Sequence, residues 1–576
     1  MKIITIFLLI FFLFLNVIYT QTPVYYSGYP IIVDSARSPF QKPGVPIVTD
    51  LDKNGSKELI FYLVVYEGTA NPPGMLYVVN NDGSAYTNFP KGYNELIYDI
   101  SSGDVDGDGY LDIAIRLMNS IDVLDRFGNH LPGFPVDYFG NDAVNPKSIN
   151  LYDLENDGNL EIIVTKIREI SVFNSNGVLR TGWPRFFTGI SFTNPAIGDI
   201  DNDGRAEIVL STVKIIPTGG ADSSALRIYM ENGDNFSTAW PIYCDSGYYN
   251  WGASPSLVIN NHNSDSSYIL MSSLIDLNVQ TGLTRNRLTK YNTSAKIINK
   301  GFSELITGLG TLVIGDLDFD GNPEFTNGSQ GSPTTLNLYS DNLNIYPGWP
   351  NQGVGEHYAT PVIGKLSNSN ELIICDNNWE ATNPNGFGNI FAYNKDGSSL
   401  PWSPLRPIGL VKGVALADIN NDGSVELIAI SSKTLREAYL HIWTIPGIPF
   451  SHKDFPWPMY GHDRYRTNQL GFIPPDEPVG IQPISTNVPD KFSLHQNYPN
   501  PFNPATTIKF DIRTAAFTKL TVFDVLGREI QILVNEELKT GSYSLVFDGS
   551  EYNSGVYFYR LASGDFTETK RMLMVK

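Results

Sequence analysis

The chain has 576 residues, a formal net charge of −20, 51 glycines and 37 prolines. That length admits several cores or one large repeat array, and the acidity argues against a nucleic-acid partner, which wants basic patches. The Gly and Pro load, with 31 Tyr and 31 Phe, suits many short strands joined by turns, and no long stretch carries an apolar helical period.

Met1-Lys2, an apolar run to Leu15 and a polar end to Gln21 predict a secretory signal peptide over 1–20. The rival reading is an uncleaved anchor, but an apolar core of about fourteen residues is short for a spanning helix. The two cysteines, Cys244 and Cys375, can pair in an oxidising compartment or remain buried thiols.

From Asp50 onward one nine-residue pattern recurs: Asp-x-Asp-x-Asp/Asn-Gly-x-x-Glu/Asp, with Glu or Asn sometimes at position 3. Its acidic and amide residues are Asp50, Asp52, Asn54 and Glu58; Asp104, Asp106, Asp108 and Asp112; Asp153, Glu155, Asp157 and Glu161; Asp199, Asp201, Asp203 and Glu207; Asp316, Asp318, Asp320 and Glu324; and Asp418, Asn420, Asp422 and Glu426. Positions 1, 3 and 5 point into one tight loop, the glycine permits positive φ, and position 9 can close a coordination shell. Calcium takes about 6–8 oxygens and suits carboxylates, whereas magnesium keeps more water. The flanks read as strands rather than EF-hand helices, so these are expected calcium loops in β-hairpins, up to six structural ions. The copy with four aspartates, at Asp104, is expected to bind best, and those at Asp50 and Asp418, with an amide each, less well.

A second element, a turn followed by an aromatic-Pro pair, recurs as Gly28-Tyr29-Pro30, Phe89-Pro90, Gly133-Phe134-Pro135, Gly182-Trp183-Pro184, Trp240-Pro241, Gly348-Trp349-Pro350, Trp402-Ser403-Pro404 and Trp457-Pro458. Its aromatics are expected to fill space between repeats. Two places that should carry an Asp loop, at Asn260-Asn261-His262-Asn263 and Lys365-Leu366-Ser367-Asn368, keep the strand and lose the carboxylates. The array then has eight units, six complete and two decayed, with a period of about 53 residues; a period near 50 with four strands per unit reads as a β-propeller blade. In the unit from Trp183 the strands are predicted at 196–200, 206–212, 225–230 and 236–242.

These loops and their spacing over residues 25–467 resemble FG-GAP and VCBS-type repeats, as in integrin α-subunit propellers. The resemblance implies an all-β fold, a seven- or eight-bladed propeller (eight favoured on the unit count), with calcium in outer hairpin loops. Trp457 to Arg464 resembles the closing segment of such arrays; ring closure and surface hydrogen bonding are expected of His462 and Asp463, over a catalytic pair.

A Pro-rich linker is predicted over 468–490. Beyond it, Asn497-Tyr498-Pro499-Asn500-Pro501-Phe502-Asn503-Pro504, Val522-Phe523-Asp524-Val525-Leu526-Gly527-Arg528 and Ser554-Gly555-Val556-Tyr557 alternate in a way that predicts a small Ig-like β-sandwich. Residues 491–576 resemble the type A C-terminal sorting domain of the type IX secretion system. That resemblance implies the secretion machinery as a partner and delivery to the outer-membrane surface or the medium.

No nucleophile elbow, His-Glu-x-x-His or phosphate-cradling loop is found, and His130, His357 and His441 sit where structural roles dominate. Two functions are carried forward. One is a non-catalytic calcium-stabilised adhesion module with a glycan or protein ligand on the propeller face. The other is a polysaccharide lyase or glycoside hydrolase using a groove on that face.

Overall fold

A computed structural model describes residues 22–575 except 36–45, 65–73, 139–147, 188, 192–193, 216–220, 244–247, 250–254, 259–266, 279–282, 307–311, 329–333, 354–360, 368–372, 379–387, 421, 435–436, 449, 451–453, 471, 475–481, 486–488, 490, 503–504, 539, 550–551, 553 and 565. The signal-peptide region, Cys244, His357 and the decayed loop at 260–263 lie outside the described residues, as does the side chain of Cys375. The described residues are all-β, in ten small sheets.

Eight sheets follow one another along the chain, each an antiparallel meander. The second is typical: Ile97–Gly103, Asp112–Leu117, Ser120–Leu124 and Val136–Asp137. The fourth runs Ala196–Gly198, Glu207–Ile215, Ala221–Tyr229 and Ile242–Tyr243. Its last strand is shorter and later than the sequence pattern suggests, because the turn at Gly233 and the Trp240-Pro241 step occupy the stretch between. Among the described residues the seventh has three strands, and the eighth (Leu410–Ala417, Val425–Thr434, Glu437–Ile445) takes two more from the opposite end of the chain, Val24–Tyr25 and Ile31–Asp34, both paired with Glu437–Ile445.

The second strand of the first sheet reads as a continuous apolar run because both of its faces are covered. In Glu58–Val64 of the first sheet, Leu59, Phe61 and Leu63 pack against the eighth sheet, while Ile60, Tyr62 and Val64 pack against the second. Alternation along a strand thus serves two cores at once. Each sheet shares a core with the next in this way, and the first shares one with the eighth, so the eight sheets close on themselves.

The aromatic-Pro elements stitch neighbouring sheets. The indole N–H of Trp183, Trp240 and Trp349 each donates to a turn carbonyl of the following sheet, at Glu231 (3.0 Å), Thr293 (3.0 Å) and Lys395 (2.8 Å). Gly182 sits at φ +92° with the Asn232 carbonyl 2.1 Å from where a Cβ would stand, so both backbone and space require glycine there.

The first strands of the sheets converge on one segment, residues 454–469. Backbone N–H groups of Ser102, Leu151, Ile197, Leu257, Ile363 and Leu416, in six different sheets, donate to carbonyls of Arg464, Tyr465, Thr467, Asn468, Trp457 and Pro458. The other two sheets also pack on it, Val48 against Met459 and Tyr460, and Gly315 beside Pro456. His462 and Asp463 are therefore not at the surface as the sequence suggested. They are 5% and 6% exposed, 3.0 Å apart, and Asp463 also takes the Tyr465 N–H at 2.7 Å.

Closure of the eighth sheet carries a pH-sensitive group. His441 is fully buried, with Nε2 3.0 Å from Ser431 Oγ and Nδ1 3.3 Å from Tyr25 Oη on the closing strand. Burial pushes it down to about 4, against about 6.5 in an unfolded chain. A depressed histidine favours folding fully above the unfolded value and loses that contribution as pH falls through the folded one. Acidification from pH 6.5 to 4 should therefore remove up to roughly 3 kcal/mol, and His441→Phe should flatten that part of the melting-temperature profile. Parallel profiles for wild type and variant would refute it.

Two four-stranded sheets make up the C-terminal part, one carrying Ala505–Ile512 and Gly541–Asp548, the other Ala516–Phe523 and Gly555–Ser563. Ile508, Phe510, Leu545 and Phe547 of the first meet Leu520, Val522, Tyr559 and Leu561 of the second in one core, a β-sandwich. Within the span read as linker, Gln469–Leu470 pairs in parallel with the fifth sheet and Gln482–Ser485 forms an edge strand of the sandwich. Pro483 is tolerated there because an edge strand has one unpaired side.

Candidate functional site: the Asp loops

All six Asp loops join the first and second strands of their sheets in one register. The residue before position 1 pairs with position 9 every time: Thr49 with Glu58, Gly103 with Asp112, Tyr152 with Glu161, Gly198 with Glu207, Gly315 with Glu324 and Ala417 with Glu426. Position 2 is a buried aliphatic (Leu51, Val105, Leu154, Ile200, Leu317, Ile419) that pins each loop to its core. The loops share one rim of the ring. Position 8 of one donates to position 2 of its neighbour, Lys57 N to Ile419 O at 2.8 Å and Ala206 N to Leu154 O at 2.9 Å.

Inside each loop the carboxylates hold the backbone. Position 1 accepts the glycine N–H of position 6 at 2.6–2.9 Å, and position 5 accepts the N–H of position 7 at 2.7–2.9 Å. One oxygen of position 9 takes the N–H of position 2 at 2.8–3.0 Å. The position-6 glycines lie at φ +85° to +91°. A Cβ on Gly109, Gly158, Gly204 or Gly423 would meet nothing within 4 Å, so the backbone and not space demands glycine.

The structure brings three acidic oxygens within 4.8 Å of one another at Asp104, Asp106 and Asp108; at Asp199, Asp201 and Asp203; at Asp316, Asp318 and Asp320; and at Asp50, Asp52 and Glu58. Among the described residues it brings no such group together at the Asp153 and Asp418 loops. In the first of these, Arg180 forms ion pairs with Glu155 (2.5 Å) and Glu161 (3.0 Å). In the second, position 3 is the amide of Asn420, whose Nδ2 donates to Asp422 at 2.9 Å. Asp418 is 6% exposed and its Oδ1 is buried without a hydrogen-bond partner. Lys395, from the seventh sheet, pairs with both Asp318 and Glu324.

Burial raises the carboxylates at position 9. Glu58, Asp112, Glu207 and Glu426 are pushed up to about 8, with neighbouring loop carboxylates adding to the effect. Glu161 reaches only about 7, where Arg180 opposes the burial. Such clusters favour a counter-cation, whose charge would reverse these shifts. The sequence pattern found all six loops. It missed Arg180 and Lys395, which lie 19 and 71 residues beyond the last acid of the loop each one touches, and it offered no signal for them.

Residues 496–576 match the family model of the secretion system C-terminal sorting domain. The protein is thus exported by type IX secretion to the cell surface or outside the cell. No curated protein matches the chain. Among solved structures it is similar to the V. cholerae biofilm matrix protein Bap1 (12% identity, 75% of this chain and 94% of that one, TM-score 0.36). It is also similar to PorZ, a surface component of the type-IX secretion system of Porphyromonas gingivalis (10% identity, 92% and 87%, TM-score 0.18), and to the polysaccharide lyase Uly1 (9% identity, 73% and 100%, TM-score 0.32). At these scores the likenesses carry no argument about this chain.

Proposed function

We propose that residues 25–467 are an eight-bladed β-propeller whose Asp loops hold structural calcium, and that the exported molecule is a non-catalytic adhesion module. In this reading residues 1–20 are a signal peptide, 468–490 a linker and 491–576 the module read by the secretion machinery. The observation that carries the propeller is the closed cycle of seven shared cores linking eight sheets, with Val24–Tyr25 joining the eighth sheet. Residues 454–469 then form its axle.

The loop residues fit a hard cation. Asp418 Oδ1 is a buried acceptor without a donor, and four loops gather three acidic oxygens each. Positions 1, 3, 5 and 9 would hold calcium, which would neutralise the clustered charge and stiffen each hairpin. The non-catalytic reading draws support from the fate of the one His-Asp pair the sequence singled out: His462 and Asp463 are buried in the axle, and Asp463 accepts from Thr467 Oγ1 and the Tyr465 N–H. Retention of the calcium-loaded protein on an immobilised polysaccharide or cell-surface protein, with the polymer unchanged, is the expected result. Release of unsaturated or new reducing ends from a polysaccharide panel would establish the lyase or hydrolase alternative instead.

A further inference from the structure

One position stands beside the Asp loop of its own sheet in every complete repeat that has the full hairpin. It is the residue after the third-strand turn whose N–H donates back to that strand: Tyr86 to Val78, Leu131 to Val123, Arg180 to Val172, Phe236 to Ile228 and Tyr346 to Leu338, at 2.9–3.0 Å. In the first and sixth sheets it is a tyrosine, and its hydroxyl meets a loop carboxylate, Tyr86 with Asp52 (3.3 Å) and Tyr346 with Glu324 (2.7 Å). In the second and fourth sheets it is apolar. In the third it is Arg180, whose guanidinium bridges positions 3 and 9.

We propose that Arg180 is a built-in counter-cation that replaces the metal ion in the Asp153 loop, so that the residue at this position decides whether that loop takes calcium. The inference rests on the calcium reading above. A planar guanidinium with its donors in a fixed fork suits two carboxylates at once and is always charged. With its side chain 13% exposed, it supplies the charge that a divalent ion would bring. The acids agree: the loops with Leu131 and Phe236 at this position gather positions 1, 3 and 5, and the Asp153 loop, among the described residues, does not. Lys395 reaches the same two positions of the Asp316 loop, but from the neighbouring sheet, and there Asp316, Asp318 and Asp320 still gather, so the contrast with the Asp153 loop lies in the cation carried on the loop's own hairpin.

Calcium bound per chain, counted by elemental analysis after equilibrium dialysis of the full-length protein, tests this. Asp153→Asn should leave the wild-type count unchanged, because no ion sits there to lose. Arg180→Leu, which installs the residue type of the second sheet, should add one ion per chain, and Asp153→Asn in that background should remove it again. A wild-type count that drops by one on Asp153→Asn would overturn the inference while leaving the calcium reading intact. A wild type that binds no calcium would overturn both. Should Arg180→Leu not fold, the Asp153→Asn count still decides.

Discussion

Arg466→Ala is expected to lower the stability of the eight-sheet ring by about 3–5 kcal/mol, because it removes a buried cation and leaves buried carbonyls without donors. Arg466 is 1% exposed; its Nε donates to the Ile100 carbonyl at 3.2 Å, a terminal nitrogen donates to the Tyr460 carbonyl, and its guanidinium lies 5.3 Å from the Tyr460 ring centre. One side chain thereby ties the axle to itself and to the first strand of the second sheet. Its neighbour Arg464 makes a parallel tie, to the Ser102 carbonyl at 3.0 Å. The urea midpoint of Arg466→Ala should fall well below that of wild type. An exposed control, Lys433→Ala, half-exposed and 3.9 Å from Glu437, should stay within about 0.5 kcal/mol. If the two variants share a midpoint, the axle is not what holds the first strands together.

The axle also marks where sequence reading stopped. The Asp loops were legible because their chemistry is local: nine residues fix the turn, the staple and the anchor. The export module was legible for the same reason, as a run of ordered motifs. His462 and Asp463, at the head of the polar run His-Asp-Arg-Tyr-Arg-Thr-Asn over 462–468, were expected at the surface, where polar residues usually lie. Partners of that run lie far off in the chain, Asn468 with Pro195 and Arg464 with Ser102, and only the closed ring brings those carbonyls inward. The carbonyls of first strands need donors once water is excluded, so a polar segment is what a crowded axis requires. The same limit applies to Arg180. Its identity is plain in the sequence, but its position over Glu155 and Glu161 follows from hairpin register, which one sequence does not reveal.

Removal of calcium is the second large effect expected. At free calcium near a hundred times the dissociation constant, each occupied site contributes about 2.7 kcal/mol, and sites in one cooperative ring add. Excess chelator should therefore lower the melting temperature sharply, and magnesium should restore it less well, since it holds its water and uses fewer protein ligands. Asp104→Ala separates the ion from the loop. Its carboxylate also accepts the Gly109 N–H at 2.9 Å, so part of the loss must persist in chelator as a lost hydrogen bond of about 1 kcal/mol. The remainder should appear with calcium present and vanish without it. Two rim hydrogen bonds run from loop to loop, Lys57 to Ile419 and Ala206 to Leu154, so loss of the ion at the Asp50 or the Asp199 loop should also loosen the Asp418 or the Asp153 hairpin beside it. A melting temperature indifferent to chelator would leave the carboxylates to be neutralised by protons and by Arg180 and Lys395 alone. The calcium assignment would then fall, although the ring would stand.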